Sequence, residues 1–190
     1  MEAYETEEQQ VAALKAWWKN NGTSVMVGIG VGIVIILGWD YWQNYQKNRA
    51  GLVSDLYAQA LKAANGDQND SALKQIEQIQ TQYDDTDYAI LAELLAARLE
   101  VEKNDLSGAR RTLEKISSSS NKELANIAKI RLVRLMMLNK EFEQALKLIN
   151  GIDPSQAGGF SAQYDELTCD LYVALDRPDQ ARTAYQNAQR

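Results

Sequence analysis

Histidine is missing from the 190 residues altogether, and only one cysteine, two prolines and two phenylalanines occur. Without histidine the chain lacks the commonest general base, proton shuttle and metal ligand. The single cysteine, Cys169, allows no internal disulfide and has no histidine to activate it as a nucleophile. A metal site would be left with oxygen ligands alone, and no EF-hand spacing occurs. Carboxylate pairs such as Asp84 with Asp85, or Glu100 with Glu102, read as solvated turn and helix-face residues before they read as acid–base pairs. Positive charge is short as well: the formal net charge is −6, and after Ala50 sixteen Lys and Arg stand against twenty-one Asp and Glu. That balance argues against nucleic acid as a partner. No catalytic, cofactor or metal residues are expected.

Glycine and tryptophan, by contrast, are concentrated in one place. Residues 28–33 read GIGVGI, but the third glycine of a dinucleotide loop would fall at Ile33, and no Gly-Lys-Ser or Gly-Lys-Thr ending follows. The stretch has no charge between Lys19 and Asp40, and its twenty residues would span ~30 Å as a helix, the thickness of a bilayer core. Trp17 and Trp18 stand at one end and Trp39, Tyr41 and Trp42 at the other, where amphipathic rings anchor at the headgroups. Gly28 and Gly32 share a helix face, with Gly30 opposite. Two readings stand for that pair: a packing seam for a partner helix, or the ordinary frequency of glycine in membrane helices. Glu2, Glu5, Glu7 and Glu8 before the span, and bulky aromatics after it, suit an uncleaved anchor rather than a signal peptide. Lys15 and Lys19 on one side balance Lys47 and Arg49 on the other, and the closeness of Lys19 to the core, with Asp40 closing the far end, tips the N-terminus towards the cytoplasm.

After the span, apolar residues recur every three to four positions, which predicts an all-α domain. Four columns repeat with a period of 36: Ala109, Ala145 and Ala181; Leu113, Ile149 and Tyr185; Leu99, Leu135 and Leu171; Leu106, Phe142 and Pro178. Each unit reads as a long helix, a short turn (KND, NKE or DRP) and a shorter helix opening near a small alanine. This resembles the tetratricopeptide repeat, whose helix pairs stack into a superhelix. Matching its pattern puts Ala97, Val133 and Cys169 on the first helices, opposite the alanine column. Residues Ala50 to Tyr83 supply an earlier pair with Ala72 and Ile76 in the matching positions, spaced 37 from the next unit. Gly151, Pro154, Gly158 and Gly159 mark a loop, as does SSSS at 117–120. No polar capping helix follows the last pair, so a trimmed chain or a cap lent by a partner is expected.

Together, MEAYETEEQQVAALKAWWKNNG, the span ending GWDYWQ, RLVR at 131–134 and the repeats resemble the YfgM family, ancillary subunits of the bacterial Sec translocon. The resemblance implies a cytoplasmic segment over residues 1–19, a transmembrane helix over 20–42 in the inner membrane, and a periplasmic repeat domain over 43–190. It also implies partners: the SecYEG channel and the membrane-anchored periplasmic isomerase-chaperone PpiD, with assistance to secreted proteins emerging from the channel. The repeat pattern places Leu94, Arg98 and Val101, then Ile130, Arg134 and Met137, along a concave groove. Guanidiniums there could fork onto carboxylates, and methionine adapts to varied shapes. The competing reading makes Met136 and Met137 core, and Arg131 and Arg134 a solvated face. An envelope adaptor that docks a folded partner without touching unfolded clients is the alternative function, and an enzyme is disfavoured by the missing histidine and cofactor loop.

Overall fold

The computed structural model describes residues 7–188, and among these every regular element is helical. Glu2, Tyr4 and Glu5 of the acidic start lie outside the described residues. The chain forms two compact units, Met1–Leu52 and Val53–Arg190.

In the first unit the boundaries expected at residues 19 and 42 leave no mark on the backbone. A single helix, α1, runs Glu7–Asn65, because no proline interrupts it and glycine in an apolar run weakens a helix without ending it. It contains a stretch long and apolar enough to cross a membrane, and only 6% of that window is buried within the protein. A core helix of a soluble domain would be covered; this one shows its apolar residues on every side.

The second unit starts with the last residues of α1 and continues through α2 (Asn69–Gln82), α3 (Asp87–Glu102), α4 (Leu106–Ser117), α5 (Lys122–Leu138) and α6 (Phe142–Asn150). A short α7 (Pro154–Ala157) and a 3-10 turn (Gly158–Phe160) then precede α8 (Ser161–Ala174) and α9 (Pro178–Ala188). The loop expected around Gly151 to Gly159 is thus partly helical. Asp153 accepts from Ser155 N at 2.9 Å, and Pro154 fits the first helical position where no N–H is needed.

The helices pair as the 36-residue period requires. Leu106, Phe142 and Pro178 each open a second helix. At the preceding turns Asp67, Asn104, Lys140 and Asp176 all take left-handed φ angles, between 55° and 61°. The next N–H reaches back five residues, as from Asp105 to Glu100 O (2.8 Å) and from Glu141 to Met136 O (2.9 Å). That bond closes the open carbonyls of the long helix and reverses the chain. Asp105 and Asn121 cap α4 and α5, accepting from Gly108 N (2.9 Å) and Leu124 N (3.2 Å).

Two hydrophobic clusters fill the unit. One gathers Val53, Ala60, Ala72, Ile79 and Leu99 around the end of α1 with α2 and α3; the other runs from Leu94 and Ala97 through α4, α5 and α6 to Leu171. Two alanines of the column lie inside them, Ala109 and Ala145 being fully buried, whereas Ala181 is half-buried; Ala97, Val133 and Cys169 are buried on the first helices. Val133 is accommodated at 0% exposure despite its size. Cys169 is buried and free, and that burial, followed by the charges of Asp170 and Asp165, pushes its thiol pKa up.

Candidate functional site

In the anchor, a Cβ built on Gly28 or Gly32 would meet nothing within 4 Å, and the same holds at Gly30. The glycine face is therefore open along its length. Gly22 differs: a Cβ there would come within 3.3 Å of the Trp18 indole, so this glycine lets Trp18 lie back along the helix. Trp17 stands beside it with ring centroids 6.5 Å apart, and at the other end Trp39 and Trp42 approach to 5.4 Å. All four rings are at least half exposed, as suits side chains meant for an interface between water and lipid.

In the repeat unit, α3 and α5 carry the residues expected to line a groove, and they divide. Leu94 and Ile130 are 3% and 6% exposed and belong to the core, and Met137 is half-buried against it. Each helical step turns ~100°, so a residue four positions before an arginine lies on nearly the same stripe but a turn away, where the neighbouring helix covers it. The expected surface accordingly narrows to Arg98, Val101 and Arg134, which the fold brings together around one cavity of about 460 Å3. Ala97, Leu113 and Leu135 contribute to its apolar lining, together with Leu138, which is 63% exposed.

Arg131 completes the cavity. It is not in register with Arg98 and Arg134, yet it precedes Arg134 by three residues and so shares its face; that spacing was the available signal. Its Nη1 donates to Leu94 O at 3.0 Å, tying α5 to α3. Burial of the guanidinium lowers its pKa, a nearby Tyr57 opposes this, and the positive charges of Arg134 and Arg98 add to the lowering. Arg98 donates to Glu102 Oε1 at 2.8 Å and to Asn65 Oδ1 at 3.0 Å. Among the described residues Arg134 has neither a hydrogen bond nor an ion pair. The cavity thus holds three guanidiniums against one carboxylate, inside an acidic chain.

Other polar contacts are structural. Asn126, the one buried polar residue in the described core, donates from Nδ2 to Gln156 O at 2.9 Å and accepts at Oδ1 from the Tyr164 hydroxyl at 2.7 Å. Burial raises the Tyr164 pKa to about 12, so the phenol stays a donor. Arg110 forks onto Glu141 at 3.1 and 2.6 Å, joining α4 to the turn before α6.

Three curated proteins share this sequence over most of its length. The ancillary SecYEG translocon subunit of Haemophilus influenzae is 29% identical over 184 residues, covering 96% of this chain and 88% of that protein. The protein of the same name from Escherichia coli is 29% identical over 187 residues, covering 98% and 88%. That from Aggregatibacter actinomycetemcomitans is 28% identical over 184 residues, covering 96% and 88%. The resemblance to the YfgM family carried by the tail, anchor and repeats is borne out in these relatives. With residues 15–190 matched by the family model of the tetratricopeptide repeat-like domain, and with paired helices and buried alanines of that kind, the chain belongs to the tetratricopeptide repeat-like family.

Proposed function

We propose that this protein is a non-enzymatic ancillary subunit of a Sec translocon, anchored in the bacterial inner membrane by one helix. The observation that carries this reading is that proteins named ancillary SecYEG translocon subunits match almost the whole chain, from before the anchor to the last repeat. Residues 1–19 lie in the cytoplasm, 20–42 cross the membrane and 43–190 form the periplasmic repeat domain. Gly28 and Gly32 dock the anchor against a helix of the channel, since glycine allows the close approach that holds helices together in lipid. The cavity around Arg134 engages a periplasmic partner, either PpiD or segments of secreted proteins leaving the channel.

Site-specific photocrosslinking in intact inner membranes tests both halves, with the probe placed in turn at Gly28 and Arg134. Adducts of the Gly28 probe with SecYEG and of the Arg134 probe with PpiD are expected, and adducts with many secreted proteins at Arg134 would extend the role to direct client handling. Adducts at Arg134 confined to one folded envelope protein outside the translocon would favour the adaptor reading. No specific adduct at either position would overturn the proposal.

A further inference from the structure

We infer that the cavity between α3 and α5 recognises extended, acidic peptide segments that carry a side-chain carboxylate at every third residue with apolar residues between. This deepens the reading of the cavity as a partner site and rests on it.

Charge complementarity is the first ground. The chain carries net −6, yet Arg98, Arg131 and Arg134 meet around one cavity whose single acidic residue, Glu102, is already engaged by Arg98. Each guanidinium offers five N–H donors in a fork that fits a carboxylate. Arg131 commits one of its nitrogens to the Leu94 carbonyl, and Arg134 commits none among the described residues. Donors are in excess, since the side-chain acceptors Glu102 and Asn65 are both taken by Arg98.

The floor supplies the second ground. Ala97, Val101, Leu135 and Leu138 line the same cavity as the arginines. A purely ionic ligand such as inorganic phosphate would leave this surface wet, whereas an apolar side chain flanked by carboxylates covers it. Geometry supplies the spacing. Arg98 and Arg134 are equivalent positions on the long helices α3 and α5, and both line the same cavity. A segment in the polyproline II conformation, common in unfolded chains, rises ~3.1 Å per residue with three residues per turn. Carboxylates three apart therefore share a face and stand ~9 Å from one another, so one side of such a segment can present two of them to two arginines.

The test uses the full chain in detergent micelles and synthetic twelve-residue peptides, acetylated and amidated so that only side-chain carboxylates are present. One peptide repeats Glu-Leu-Pro, a second has the same composition with its glutamates adjacent, and a third replaces each Glu with Lys. The wild-type chain is expected to bind the first peptide, to bind the second more weakly, and to lose affinity for the first as salt rises. Removing one guanidinium in Arg134→Ala should weaken binding about tenfold, as expected for one charge-assisted contact. The double variant R98E/R134E should lose the glutamate peptide and gain the lysine peptide, a reversal that a merely misfolded chain could not produce. Equal binding of the glutamate and lysine peptides by the wild type, or no binding of the spaced glutamate peptide, would overturn the inference. If the acidic peptides fail while the Arg134 photoprobe still captures a periplasmic protein, the spacing rule falls and the partner-site reading stands. If the photoprobe captures nothing either, both fall.

Discussion

Ala109 and Ala145 in the repeats are completely enclosed, whereas Gly28 and Gly32 in the anchor would leave an added Cβ in open space. Both sets are small residues on helix faces, the glycines a turn apart on one helix and the alanines at equivalent places on α4 and α6. The difference lies in the solvent. In water an apolar helix face gains free energy by closing on its own chain, and alanine lets a neighbouring helix come near enough to do so. In lipid that drive is absent, so a small-residue face can stay open until another helix supplies packing contacts.

Overfilling the enclosed column is the strongest way to break this contrast. Ala145→Leu should destabilise the repeat unit by about 1–3 kcal/mol, because the extra carbons have nowhere to go; urea unfolding of the full chain in micelles, followed by far-UV circular dichroism, reads the change. Gly108→Ala comes next. A Cβ there would overlap the Asp105 carboxylate that caps α4, and loss of such a cap costs about 1 kcal/mol. The same cap has an acid signature. Hydrogen bonds from Gly108 N and then Ser107 hold the Asp105 pKa below its usual value. Its contribution is therefore complete above the unfolded carboxylate pKa of about 4 and is lost as the pH falls through the lower folded value. Asp105→Asn should flatten the acid end of the stability profile relative to wild type, and an unchanged acid limb would show that the cap contributes nothing there.

A smaller effect of opposite sign is expected at Lys140, whose φ of 60° suits glycine better than lysine. Lys140→Gly should raise stability by about 0.5–1 kcal/mol in the same urea titration, because relief of the left-handed strain exceeds the chain entropy glycine adds. The smallest effect on unfolding belongs to the anchor. Gly28→Leu with Gly32→Leu should leave the repeat unit within about 0.5 kcal/mol of wild type, while removing co-purification with the channel. If co-purification survives both substitutions, the docking role of the glycines is wrong.

The period of 36 was legible because four columns coincided, although in the last unit two of them no longer mark the core, Ala181 being half-buried and Tyr185 exposed. The turns between the paired helices were legible as KND, NKE and DRP, but the left-handed residue inside each was harder to foresee. Asn104, Lys140 and Asp176 adopt a conformation usually marked by glycine, and nothing in a lysine announces it. The continuity of α1 through residues 42 and 43 escaped for a related reason, since the charged and polar residues after Trp42 signal the end of a bilayer span but not the end of a helix. At the cavity, matching to the repeat pattern found Arg98, Val101 and Arg134 but assigned Leu94 and Ile130 to the same surface. Whether an apolar residue lines a groove or the core depends on which neighbour covers it, and that is a property of the packed helices. Asn126 and Tyr164 were missed because a polar residue in a helix reads as surface unless its partner, here 38 residues away, is already known.

Helix α3 serves two cores at once. Leu95 and Leu99 pack towards α1 and α2, while Leu94 and Ala97 pack towards α4 and α5. In a stack of units held by nearest-neighbour contacts, such a helix can open only when the interfaces on both its sides have opened. Its amides should accordingly be the slowest to exchange with deuterium, and those of α9, with Tyr185 61% exposed on it, the fastest. The arginine of that helix which faces the cavity, Arg98, therefore sits on the last part of the domain to loosen, so the wall it contributes keeps its shape while the outer repeats fray and re-form around it.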